Sequence, residues 1–194
     1  MQRLNDVLCY KQDGLNYPVE DIKPIGYNRL HGKVELRHVE FGFTPLQPPL
    51  IEDFCCTIEP GRQVAFVGFS GSGKSTVAKI VSGLYEEWGG QVLFDDINRK
   101  AIPHEVITNS LAVVDQDIVM FSGTVEDNLS LFDSSIRRSD IVSAAKDACI
   151  HDDILKLDKN YEAEVAEGGA NFSGGQRQRL EIARALAVNP SILI

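Results

Sequence analysis

Gly68 to Thr76, read as GFSGSGKST, gathers glycines and hydroxyl residues around one lysine. The apolar run QVAFVG comes directly before it. KSTVAKIVSGLY follows, with apolar residues at the helical spacing Val77, Ile80, Val81 and Leu84. Gly68 to Ser75 fits G-x-x-x-x-G-K-[ST] in the strand–loop–helix setting that the pattern needs. Gly68, Gly71 and Gly73 let the backbone wrap tightly, so that successive N–H groups, with those of Ser70 and Ser72, can face phosphate oxygens. A helix starting near Lys74 adds its positive end. Lys74 can reach the β- and γ-phosphates as a compact charge. The Ser75 hydroxyl suits Mg²⁺, and Thr76 completes the candidate contacts. An ordinary Gly/Ser turn needs no lysine at that place. Lys79, further along the same helix, reads as a solvated surface residue.

A second pattern lies almost a hundred residues on, in NFSGGQRQRLEIARAL, Asn171 to Leu186. Ser173, Gly174, Gly175 and Gln176 stand at a helix start and offer a hydroxyl and bare backbone N–H groups, which makes a second anion site. A serine-capped helix explains the serine but not the paired glycines. Two phosphate sites so far apart in one chain suggest a nucleotide held between two copies of the domain.

The elements that must position these groups alternate between strand and helix, which predicts an α/β domain. KVELRHVEFGF reads as a strand whose apolar residues Val34, Leu36, Val39, Phe41 and Phe43 alternate only roughly. PLIEDFCCTI reads as a second strand, ended by the turn EPG. QVAFVG is a continuous apolar strand of the kind buried on both faces. QVLFDD, SLAVVDQD and SILI read as further strands. SSIRRSDIVSAAKDACI reads as a serine-capped helix with Ile141, Ala144, Ala145 and Ala148 inward. The helix after SGGQ turns Leu180, Ile182, Ala183, Leu186 and Ala187 inward. Residues 1–31 are polar, broken by Gly14, Pro18, Pro24 and Gly26, and read as a linker in which RLNDVLCY could form a helical turn or two.

The chain has 194 residues, 43% of them hydrophobic, enough for an ordinary core. Its net charge of −9 argues against a binder driven by nucleic-acid phosphates. Cys9, Cys55, Cys56 and Cys149 lack C-x-x-C spacing and read as buried free thiols. No apolar run approaches the about 20 residues needed to span a bilayer, and no signal peptide opens the chain. The expectation is a soluble chain that docks on a membrane partner.

Together these residues resemble the ATPase domain of ABC transporters over roughly residues 32–194. SGGQ at Ser173–Gln176 matches that family's signature, with Phe172 where leucine is commoner. Gln116 in VVDQD matches its Q-loop glutamine, which the resemblance makes a Mg²⁺ contact and γ-phosphate sensor. Phe43 falls where the family stacks an aromatic on adenine. Glu167 falls at a glutamate position common in exporters. The resemblance implies a P-loop NTPase fold with a β-subdomain, a RecA-like core and a helical signature subdomain. It also implies ATP and Mg²⁺ as ligands, Lys74 and Gln116 in catalysis, and head-to-tail pairing with a second ATPase domain. A transmembrane domain of the same or a partner chain would place it on the cytoplasmic face of a bacterial plasma membrane. VMFSGTVEDNLSLFD and RLNDVL are similar to segments of exporters, nearest to those that export bacteriocin-like or other ribosomal peptides.

In that family a buried strand ending in Asp-Glu, and a later histidine, follow the signature helix. The chain stops at SILI, so the expectation is a piece lacking the residue that orients the attacking water. Alone it would bind nucleotide weakly, turn over negligibly and expose apolar surface. His31, His38, His104 and His151 all precede the signature and read as surface or core residues. The competing readings are a soluble ABC ATPase without a transport role and a non-hydrolysing nucleotide-binding module.

Overall fold

A computed structural model describes residues 28–194, so most of the expected linker, including RLNDVLCY, lies outside the described residues. The chain divides into two compact units, one reaching Ile107 and one spanning Thr108–Ile194. Among the described residues no helix is long and apolar enough to cross a membrane.

The first unit is built on an antiparallel sheet in the order β2-β1-β3-β4. Its strands are β1 (Val34–Phe41), β2 (Ile51–Ile58), β3 (Gly89–Phe94) and β4 (Ile97–Asn98). Val34, Leu36, Val39 and Phe41 are all buried, although Leu36 and Val39 are three residues apart. Paired bulges account for this. Leu36 pairs with Cys56 and Val39 with Phe54, so β1 spends one residue more than β2. Phe41 then pairs with Ile51, and β2 spends the extra residue. The second bulge restores the register that the first displaces, and both flanking apolar pairs face inward. Phe43, beyond the strand, is 69% exposed. The EPG turn closes as expected: Arg62 N–H donates to Glu59 O at 3.1 Å, and Gly61 takes a positive φ.

Helix α1 (Lys74–Ser82) buries Val77, Ile80 and Val81. It ends at Gly83, whose left-handed backbone returns its N–H to Ile80 O. Leu84, expected inward, lies past this cap and is exposed. Arg99 donates to the same Ile80 carbonyl and pairs with Glu87 at 2.9 Å, both side chains nearly sheltered from solvent. That cation sits at the negative end of α1. A short helix, α2 (His104–Thr108), runs across the boundary at Ile107.

One expectation fails here. QVAFVG is not a buried strand: Val64, Phe66 and Val67 are exposed and the segment joins no ladder among the described residues. A doubly buried strand needs hydrogen-bonding neighbours on its edges and cover on both faces. Here the Phe66 ring meets Phe54 of β2 in an edge-type contact at 6.1 Å.

In the second unit, β5 (Leu111–Ala112) pairs in parallel with β8 (Ile192–Leu193), and β6 (Gly123–Thr124) pairs antiparallel with β7 (Glu164–Val165). SLAVVDQD and SILI therefore supply strands of two residues each. The helices are α3 (Val125–Ser130), α4 (Arg138–Asp147), α5 (His151–Ile154) and α6 (Gly174–Ala187). Their core gathers Leu129, Ile141, Ala145, Ile150, Ile154, Phe172, Leu180 and Ala183. Ile182 and Leu186 of α6 are only partly buried against it. α4 starts after Arg137 with no side-chain cap, so the expected serine cap is absent. Ser135 N–H instead donates to Asp133 Oδ1.

Cys55 and Cys149 are exposed and Cys56 is half-buried, all free. This corrects the expectation of buried thiols. Cys55 lies on the outer face of β2, and Cys149 just past the end of α4.

Candidate functional site

The loop before α1 is a tight structure closed by its own groups. Ser72 N–H donates to Phe69 O at 3.2 Å. Gly71 and Gly73 hold φ of +82° and +87°, where a side chain would be strained. Gly73 also lies against β2, since a Cβ there would come 3.4 Å from Ile51 Cγ1. Gly73 is the N-cap of α1. No side chain caps that end, and no acidic residue occupies the first turn. The leading N–H groups and the positive helix end are therefore not spent on an internal partner.

The Lys74 ammonium folds over the loop. It donates to Gly68 O at 2.9 Å, Phe69 O at 2.7 Å and Ser72 Oγ at 3.3 Å. These are weakly basic neutral acceptors, which a phosphate would outcompete. Ser70 and Ser75 are exposed, and Thr76 is buried under the helix start. Phe43, in the same unit, meets Phe41 and Tyr85 edge-on at 5.4 and 5.9 Å and keeps most of its ring open. A Cβ on its neighbour Gly42 would come 2.4 Å from the Trp88 ring, so a larger residue there would force that indole to move.

The second helix start is organised differently. Ser173 is the N-cap of α6: its Oγ accepts from Gln176 N–H at 3.3 Å, and Gln176 Oε1 accepts from Ser173 N–H at 2.9 Å. This reciprocal box satisfies two end groups and fixes the turn. Gly174 meets nothing within 4 Å of a notional Cβ, so packing within the chain does not require a glycine there. A bare backbone at an exposed helix start leaves room for a close approach from outside.

Three residues that the sequence patterns did not single out hold α6 and the loop before it in place. Asp153 of α5 accepts from Arg179 Nη2 of α6 at 2.9 Å and from Lys156 Nζ at 2.9 Å. Lys156, then Arg179 and Gln176, hold its carboxyl below the usual carboxylate range. Asn171 closes the preceding loop, accepting from Ala166 N–H and donating to Glu164 O, both at 3.0 Å. Arg184 is buried: it donates to Asn128 O at 2.8 Å, to Val119 O at 3.0 Å and to Glu181 Oε2 at 2.5 Å. Burial pushes the Glu181 carboxyl up and the Arg184 guanidinium down, because both lose hydration. Arg184 could have been noticed as a charge four residues after the inward Leu180.

Gln116 is exposed just beyond β5. Its N–H donates to Asp115 Oδ1 at 2.6 Å, and Asp117 N–H reaches the same oxygen at 3.3 Å, an aspartate-capped turn. The chain then enters Val119 and Met120, the stretch that Arg184 grips from α6. Glu167 is exposed in a short 3₁₀ turn, Glu167–Gly169. Residues 68–76 and Phe43 thus belong to the first unit, and Gln116, Glu167 and Ser173–Gln176 to the second.

A family model described as ABC transporter matches residues 51–194. Two proteins of Staphylococcus aureus, from strains NCTC 8325 / PS 47 and bovine RF122 / ET3-1, each named putative multidrug export ATP-binding/permease protein, are 40% identical over 163 residues. That stretch is 84% of this chain, which spans only 28% of each relative. A solved structure titled as a bacterial Atm1-family ABC exporter with ATP bound matches with a TM-score of 0.86 and 31% identity, covering 100% of this chain and 33% of that one. On these matches the chain belongs to the ABC transporter family, as an ATP-binding domain of exporter type with the P-loop NTPase fold.

Proposed function

We propose that this chain is the motor part of an ABC exporter, coupling ATP binding and hydrolysis to transport of a peptide. The observation that carries the reading is the pair of helix starts. One is uncapped behind a glycine loop with Lys74 folded over it; the other is boxed by Ser173 and Gln176 and bare at Gly174. Each suits one side of a nucleotide sandwiched between two copies paired head-to-tail.

ATP would take over the Lys74 ammonium from its loop carbonyls, with the N–H groups of residues 68–76 on its phosphates and Phe43 against the base. Ser173, Gly174 and Gly175 of a second copy would hold the γ-phosphate from the other side. Ser75 and Gln116 offer a hydroxyl and an amide oxygen, hard donors that fit Mg²⁺, which when bound neutralises charge developing on the phosphates. Closure around ATP would drive an attached membrane domain, and hydrolysis would release it. The working place is the cytoplasmic face of a membrane.

The peptide substrate rests on the likeness of VMFSGTVEDNLSLFD and RLNDVL to peptide exporters; the relatives above carry the name multidrug export. Inside-out vesicles holding the full-length protein separate the two. ATP-dependent uptake of a ribosomally made peptide, absent with Lys74→Ala, supports the assignment. Uptake of hydrophobic dyes with no peptide uptake overturns it. Failure of the chain to bind ATP overturns the reading as a whole.

A further inference from the structure

The two bulges between β1 and β2 do more than correct the register. Each places a non-glycine residue in left-handed backbone, His38 at φ 50° and Asp53 at φ 48°. That conformation is costly for residues with a side chain, and a bulge re-aims the side chain it carries. Here both are re-aimed to one spot on the outer face, where His38 Nδ1 and Asp53 Oδ1 lie 2.6 Å apart. Cys55 points to the same place, and its sulfur accepts the His38 backbone N–H at 3.2 Å. One ligand atom from each residue falls within 4.8 Å of the others.

The geometry points to a binding site for a divalent transition-metal ion of the Zn²⁺ class at His38, Asp53 and Cys55. A histidine–aspartate ion pair accounts for two of these side chains but not for a thiol held beside them. An imidazole, a carboxylate and a thiolate form a mixed N, O, S set, which suits Zn²⁺ or Co²⁺ and not the all-oxygen preference of Mg²⁺ or Ca²⁺. Tetrahedral bonds of about 2.0–2.3 Å place donors roughly 3.3–3.8 Å apart. To reach that spacing the His38–Asp53 pair, now at 2.6 Å, opens, and the Cys55 sulfur, within 4.8 Å of both, closes, by rotation of exposed side chains. Three protein donors leave the fourth position to water. Binding converts the Cys55 thiol to thiolate and releases its proton to solvent. The site is separate from the phosphate loop and does not depend on the transport reading.

The test is titration of Co²⁺ alone into the reduced full chain, without nucleotide, followed by absorption. The expected result is one equivalent bound, with a thiolate-to-cobalt charge-transfer band that Zn²⁺ removes by displacement. Cys55→Ser abolishes the band, while Cys9→Ser, Cys56→Ser and Cys149→Ser keep it. His38→Gln leaves the thiol in place and raises the Co²⁺ dissociation constant at least about tenfold. Circular dichroism confirms that each variant is folded. No band in the parent chain, a band surviving Cys55→Ser, or an unchanged affinity in His38→Gln overturns the assignment.

Discussion

The Arg184 guanidinium of α6 donates to the backbone carbonyl of Asn128 at 2.8 Å, fastening the helix that starts at Ser173 to the segment that follows Gln116. The same side chain reaches Val119 O and Glu181, and its charge lies 5.5 Å from the centre of the Phe121 ring. Arg184→Ala would leave a buried carboxylate and two carbonyls without a donor. Breaking a buried pair in this way costs about 3–5 kcal/mol. Urea denaturation of the variant reads this directly, and a loss below about 1 kcal/mol would show that the network adds little.

Lys74 spends its ammonium on oxygens of its own loop, Gly68 O, Phe69 O and Ser72 Oγ, so its removal should spare the fold. Lys74→Ala is expected to weaken binding of a fluorescent ATP analogue by at least about tenfold, corresponding to about 1.4 kcal/mol. The nucleotide-free melting temperature should stay where it is. Equal binding by variant and parent would remove Lys74 from the phosphate site.

Ser173 and Gly174 are adjacent and should behave in opposite ways. Ser173→Ala loses the cap of α6 and should cost about 1 kcal/mol of stability. Gly174→Ala meets no atom and gains helix propensity, so it should be neutral or stabilising by up to about 1 kcal/mol. ATP-dependent self-association, read by analytical ultracentrifugation, should nevertheless fall in Gly174→Ala. Unchanged association would argue that the bare backbone serves no partner.

Acid should loosen the second unit through its hydrogen-bonded carboxylates Asp127 and Asp153. The Thr124 N–H, and then its hydroxyl, hold the Asp127 carboxyl below its ordinary value; Lys156 and then Arg179 do so for Asp153. A carboxyl depressed in the fold contributes stability above its unfolded pKa of about 3.9, and that stability disappears as pH falls through the folded value. The contribution of these two carboxyls should therefore hold steady above about pH 5 and decline below about pH 4. Carbon-13 NMR titration of the two carboxyls should give midpoints below the unfolded value. Asp127→Asn should lose less stability on acidification than the parent.

What the sequence determined by itself was the local structure whose parts are neighbours along the chain. The glycine, lysine and serine of residues 68–76, the box at Ser173–Gln176 and the buried stripes of α1, α4 and α6 depend on contacts a few residues apart, so spacing alone reveals them. The tertiary structure alone decided what depends on distant partners. Paired bulges turned the imperfect alternation of Val34 to Phe41 into a fully inward face and brought His38 to Asp53. Val64 to Val67 had the apolarity of an inner strand but found no ladder partner among the described residues, and a strand is buried by its hydrogen-bonding neighbours as well as by its composition. Arg184 went inside because Asn128, Val119 and Glu181 met it there, and Asp153 came to the start of α6 only through the packing of α5. Such pairings depend on how the chain closes over long separations, and no local pattern along the sequence encodes them.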